Sequence, residues 1–224
     1  MARHTAHISP SAGRPYDRAE LLSDAVIHLM GLGLAVFSVP VLITLTAVWR
    51  GDAAGIVGVS IYGVTLIVML SASLAYNHVY REDLSDTLRK LDMSAIYLKI
   101  AGTVTPFALL SGTGAIFLAA MWTVAVLATA TVFLRKRRSS GLSVGIGLGM
   151  GWAVLFGGGE VIASTSWPVF GLMIAGGVLY SLGTPFLLLH RLRFHNAIWH
   201  AFVVLASGVF FVAITWHLIS TAMI

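Results

Sequence analysis

Seven stretches of this chain are each long and apolar enough to cross a bilayer, and that limits the fold more than any other feature. They run Ser23–Trp49, Ala54–Asn77, Met93–Leu110, Ala115–Leu134, Gly141–Val161, Trp167–His190 and Asn196–Thr221. A helical span needs about 20 mostly apolar residues. Hydrocarbon offers no partner to a backbone N–H or C=O, so each stretch must satisfy its own hydrogen bonds as a helix. Composition agrees, with 58% of the 224 residues hydrophobic and 10% charged, against about 25% charged in soluble domains. The expected architecture is all-α, a seven-transmembrane helix bundle over residues 20–224. Residues 1–19, polar and basic with no apolar core, read as a disordered cytoplasmic tail and not as a signal peptide.

Basic residues set the expected orientation, because they concentrate on the cytoplasmic side. Arg3, Arg14 and Arg18 lie in the tail; Arg81, Arg89 and Lys90 follow the second span. Arg135, Lys136, Arg137 and Arg138 follow the fourth, and Arg191 and Arg193 the sixth. That places twelve of the 14 Lys and Arg on one side, so the N-terminus is expected in the cytoplasm and the C-terminus outside. The net charge of +5 follows from this bias. The chain has no cysteine, which excludes disulfides and thiolate ligands. The expected partners are membrane lipids, with a homo-oligomer left open and no nucleic acid. Gly145/Gly149 and Gly147/Gly151 have GxxxG spacing in the fifth span, which fits close helix packing or dimerisation.

Ionisable groups inside a membrane are costly, so their placement is informative. Asp24 and His28 lie four apart on one face of the first span. Ser73, Asn77 and His78 end the second, Asp92 opens the third, and His195, Asn196 and His200 open the seventh. Four helices therefore bring hydroxyl, carboxylate, amide and imidazole groups to a common depth. Asp92 also suits a helix N-cap. Lys99, two turns further along the third span, is expected to pair with a carboxylate or to snorkel. Glu160 and His217 are expected near the opposite surface, facing water or headgroups.

Four segments carry a resemblance: SASLAYNHV (71–79), LRKLDMSAIYLKIAGTVTPF (88–107), GGVLYSLG (176–183) and NAIWHAFVVLASG (196–208). Together they resemble the haemolysin III proteins, which are grouped with the progestin-and-adiponectin receptors and, more distantly, the alkaline ceramidases. The similarity runs from about residue 20 to about residue 208. It implies a seven-helix bundle, in a bacterial inner (plasma) membrane, with a zinc ion held by three histidines near the cytoplasmic face. It further implies a serine and an aspartate beside a zinc-bound water, and cleavage of lipid amides. On this chain Ser73 matches the serine, Asp92 the aspartate and His200 one histidine. The other two histidine positions fall on Asn77 and Asn196, and Met93 stands where a further histidine is usual. His28 fits the family pattern, whereas Asp24 replaces a customary asparagine.

An amide oxygen is a poor zinc ligand beside an imidazole. His78 and His195, each adjacent to one of the asparagines, are candidate replacements. One residue along a helix turns a side chain by about 100°, so they reach the site only where the helix ends unwind. Three functions stay open at this point. One is a metal-dependent lipid amide or ester hydrolase, using Ser73 and Asp92 with His200 as ligand. Another is a non-enzymatic lipid- or proton-responsive protein built on Asp24, His28, Asp92 and His200. The last is the pore-forming cytolysis in the family's name.

Overall fold

The structure, a computed structural model, describes residues 16–79, 81–134 and 140–223. The basic cluster of residues 135–138 and most of the expected tail lie outside the described residues. Among those described there is no β-strand; the chain forms α1 (Arg18–Trp49), α2 (Ala53–His78), α3 (Glu82–Ser111), α4 (Ala115–Leu134), α5 (Ser140–Trp152), α6 (Val154–Gly157), α7 (Gly159–Ala163), α8 (Trp167–Leu188) and α9 (His195–Ala222). Six of these, α1–α4, α8 and α9, are long and apolar enough to span a membrane.

Helix α1 begins at Arg18, inside the expected tail, because Asp17 and Glu20 form a capping box. The Asp17 carboxylate accepts the Glu20 N–H at 2.8 Å and the Glu20 carboxylate accepts the Asp17 N–H at 3.0 Å, satisfying two otherwise orphaned donors. One stripe of α1 is buried: Glu20, Asp24, His28, Gly31, Ala35, Val39, Leu42 and Thr46. Its spacing of three and four is that of a helix face. Leu34, Phe37, Val41 and Val48 point outward, as suits a surface whose solvent is lipid. Helix α3 begins well before the apolar window, at Glu82, and is the most buried of the six. It packs against α2, α4, α5 and α9, while α1 bridges α2 and α9 and α8 packs on α9.

The turn expected at Ser111–Gly114 is tight: α3 ends at Ser111 and α4 starts at Ala115. Gly112 and Gly114 adopt φ of 67° and 74° there, a region glycine enters without steric penalty. At the same end of the bundle, Arg50 ties three helix termini together. Its Nε donates to Asp52 at 2.6 Å, and its Nη1 donates to the Leu110 and Thr221 carbonyls at 2.8 and 3.4 Å. A guanidinium suits this place, where terminal carbonyls lack intrahelical donors.

The expected fifth span, Gly141–Val161, is not one helix. It breaks after Trp152 and again at Gly158. Three consecutive glycines, Gly157–Gly159, have low helix propensity, and a Cβ at Gly158 would collide with the Val154 carbonyl. The broken segment still runs beside α3. The Tyr97 hydroxyl donates to the Ser143 carbonyl at 3.3 Å near its start, and the Gly114 N–H donates to Glu160 at 2.8 Å near its end. Nor are its glycines close-packing points within the chain: a Cβ on Gly145, Gly149 or Gly151 would meet nothing within 4 Å. The close approaches lie elsewhere, at Gly63 against Val39, Gly102 against Thr65, and Gly176 against Phe210.

Candidate functional site

At the end of the bundle that holds Tyr16, α1, α2, α3 and α9 enclose a buried polar cluster centred on Asp24. The capping box places Glu20 four residues before Asp24, so Glu20, Asp24 and His28 fall on successive turns of the buried stripe of α1. Asp24, His28 and His200 are 3%, 1% and 6% exposed. The Asp24 carboxylate is the acceptor for most of its surroundings. Its Oδ1 receives His200 Nδ1 at 2.6 Å and Asn196 Nδ2 at 3.3 Å; its Oδ2 receives His78 Nε2 at 3.1 Å. His28 Nδ1 lies 3.4 Å from Oδ2 and donates to Asp24's own carbonyl at 2.9 Å.

This last bond fixes the His28 tautomer. A carbonyl can only accept, so Nδ1 carries the proton in the neutral ring and Nε2 presents a lone pair. That Nε2 is buried and has no hydrogen-bond partner among the described residues. The His28 and His200 rings are tilted at 60° to each other with centroids 4.1 Å apart. His200 Nε2 in turn meets the Ser73 hydroxyl at 3.2 Å. Asp92, half-buried on α3, lies close to the same hydroxyl and within electrostatic reach of His28.

The two asparagines belong to the cluster as spacers. Asn77 donates to the Ser73 carbonyl at 2.9 Å, and Asn196 donates to Asn77 Oδ1 at 3.0 Å. His78 reaches Asp24 because α2 stops at that residue and Val79 is extended. His195 does not join. Its Nδ1 donates to the Phe186 carbonyl at 3.1 Å and its Nε2 meets the Tyr16 hydroxyl at 2.9 Å. Lys99 is 2% exposed, without the surface escape expected of it, and has no carboxylate partner among the described residues; its ammonium donates to the Tyr180 hydroxyl. His217, expected to face water, is fully buried against Ser111, its Nε2 2.9 Å from that hydroxyl.

Asp24, His28 and His200 can each offer one ligand atom within 4.8 Å of the others. Such a set, two imidazoles and a carboxylate, suits a borderline divalent ion such as zinc. The orphaned His28 Nε2 and the bond that orients its ring are the local signs of fit, since a ligating histidine is commonly held by its other nitrogen. A small cleft opens onto Asp24, lined by Tyr16, Glu20, Asn77, Phe194 and Asn196. Its rim is stapled. Arg193 pairs with Asp17 at 3.0 Å, and the Phe194 N–H donates to Glu20 at 3.0 Å. Phe194 takes an unusual φ of 61° to do so.

The helix-1 contribution was the part hardest to see in the sequence. Asp24 stands one turn from His28 on an apolar helix, but nothing in the spacing makes it the acceptor for α9 rather than a member of the periphery.

Comparison with known proteins gives a consistent result. Residues 19–211 match the model of a family described as haemolysin-III related. The chain is 34% identical over 201 residues to the hemolysin-3 homolog of Bacillus subtilis (strain 168), covering 88% of this chain and 94% of that protein. It is 33% identical over 208 residues to the hemolysin-3 of Bacillus cereus, covering 91% and 94%.

Proposed function

The chain belongs to the haemolysin-III-related family of integral membrane proteins, and from that membership and the Asp24 cluster we propose that it is a membrane-embedded, metal-dependent hydrolase of lipid amides or esters. The observation that carries the reading is the buried convergence of Asp24, His28 and His200, with one imidazole nitrogen left unpartnered. Its bacterial relatives point to the plasma membrane. In this reading the broken segment α5–α7 completes a seventh crossing, supported by its run along α3. The Tyr16 end faces the cytoplasm, supported by the distribution of Arg and Lys.

The metal set has moved relative to the family pattern, from α2 and α9 toward α1. Asp24 and His28 take over from the positions now held by Asn77 and Asn196, with His200 retained and His78 one contact away. A zinc ion bound there would supply Lewis acidity toward a carbonyl and would acidify water. The protein residues around it have separable tasks. Asn77 and Asn196 line the approach to Asp24. Ser73 fixes the His200 ring and offers a hydroxyl toward a reacting oxygen. Asp92, close to Ser73, would accept a proton from attacking water and return it to the leaving group.

A second reading has its own support. Without any ion, Asp24 already accepts from His200, His78 and Asn196, and Ser73 has one proton for two acceptors, His200 Nε2 and Asp92. A network with fewer protons than acceptors suits a site that stores and passes protons.

Metal content separates the two. Plasma mass spectrometry on the detergent-purified, untagged protein should find near-stoichiometric zinc, lost in Asp24→Asn and in His200→Ala. A metal-free protein, even after incubation with zinc, would remove the hydrolase reading and leave the proton network standing.

A further inference from the structure

Lys99 lies in a second polar cluster, deeper in the bundle and separate from Asp24. It stands seven residues beyond Asp92 on α3, as Ser207 stands seven beyond His200 on α9. Two helical turns put this layer about 10 Å further along the bundle axis. The Lys99 ammonium donates to the Tyr180 hydroxyl and sits over two aromatic faces, 4.4 Å from the Tyr180 ring centroid and 5.3 Å from that of Phe210. The Tyr180 and Ser207 hydroxyls share a hydrogen bond at 2.8 Å, and the Tyr62 hydroxyl donates to the Ser207 carbonyl at 3.3 Å.

The hydrogen-bond inventory of this layer does not balance. Lys99 brings three N–H donors, and Tyr62, Tyr180 and Ser207 bring one O–H each. The acceptors that meet them are the Tyr180 oxygen, the Ser207 hydroxyl and the Ser207 carbonyl. Among the described residues no carboxylate lies within ion-pair distance of Lys99. Leaving an ammonium without a counter-ion in a low-dielectric interior is costly. The site is rich in donors, poor in acceptors, and singly positive. What it lacks is an acceptor carrying one negative charge.

We propose that Lys99, with the Tyr180 and Ser207 hydroxyls, binds the carboxylate of a long-chain fatty acid inside the bundle. One lysine matches one carboxylate, whereas a phosphate would bring more charge than the layer neutralises. The rings of Tyr180 and Phe210 offer apolar contact to the methylenes next to the carboxylate. Both rings are only partly buried, and an acyl chain reaches the ammonium past them from the bilayer. The site does not depend on the metal reading, because none of its residues belongs to the Asp24 cluster.

The test is binding of palmitate labelled with 13C at the carboxyl, followed by NMR on the full chain in detergent, with methyl palmitate as the uncharged control. Palmitate should bind saturably and at least about tenfold more tightly than its ester, the value of a charge-assisted hydrogen bond. Lys99→Met should abolish that preference, Lys99→Arg should keep it, and His200→Ala should leave it unchanged. Lys99→Gln, which keeps N–H donors without charge, should lose the preference too and stands in if the Met variant does not fold. Equal affinity for acid and ester overturns the proposal, as does a preference that survives Lys99→Met and Lys99→Gln. Loss of the preference in His200→Ala would place the carboxylate at the Asp24 cluster and would equally overturn it.

Discussion

At the scale of single residues, Asp24 concentrates the energetics of the polar site. It is nearly fully buried and accepts from three side chains on two other helices. Asp24→Asn keeps the shape but removes the charge and turns one acceptor into a donor facing imidazole N–H groups. The expected loss is about 2–4 kcal/mol, the range for breaking a buried charged hydrogen-bond set. Asn196→Ala, which removes one long bond at 3.3 Å and one to Asn77, should cost about 1 kcal/mol. Reversible unfolding in mixed micelles would measure both, and equal losses would show that Asp24 is no hub. The residues that converge here were visible in the sequence, since polar groups on apolar helices are conspicuous. Their directions were not. His78 reaches Asp24 only because α2 stops there, and sequence does not place a helix end to within one residue.

At the scale of elements, the glycines separate what spacing suggests from what packing uses. GxxxG spacing pointed to α5, where Gly145 and Gly149 face open space. The helices approach closely at Gly102, whose Cβ would strike Thr65, and at Gly63, whose Cβ would strike Val39. Neither belongs to a GxxxG pair on its helix, and only the facing helix identifies it. Gly102→Ala should destabilise by about 1–3 kcal/mol through overpacking. Gly145→Ala should be neutral, or stabilising by about 0.5–1 kcal/mol from helix propensity. Thermal unfolding of the pair would decide. The start of α1 adds a pH-dependent element. The Asp17 carboxyl is held below the usual carboxylate range, first by the Glu20 N–H and then by Arg193. A depressed folded-state pKa contributes stability that is complete above the unfolded value and is lost as pH falls through the folded one. The staple to Arg193 should therefore loosen as pH falls below about 4, and Asp17→Asn should flatten that part of the melting-temperature profile.

At the scale of the whole molecule, the membrane character and six of the helices follow from apolar length alone, because hydrocarbon leaves the backbone one choice. The fifth segment departs from that rule by breaking at Gly157–Gly159, where local turns complete the backbone hydrogen bonds of α6 and α7. Orientation is a separate matter, governed by charge at the loops. A reporter fused after Ile224 should be active outside the cytoplasm, and one placed in the loop between α2 and α3 should be active inside it. The opposite pattern would invert the proposed orientation and move the Asp24 cleft to the outer face.

The order in which the cluster comes together has a consequence for biosynthesis. Asp24 and His200 are 176 residues apart, so a ribosome delivers α1 to the membrane long before α9 exists. In that interval the carboxylate has one companion within its own helix, His28, four residues away and already on the same face. His78 arrives with α2, and His200 and Asn196 only with the final helix. His28 would thus serve the nascent chain as an escort for a charge in lipid. A variant lacking it should fail at insertion, as a chain retained by quality-control proteases, before any defect in the finished site is seen.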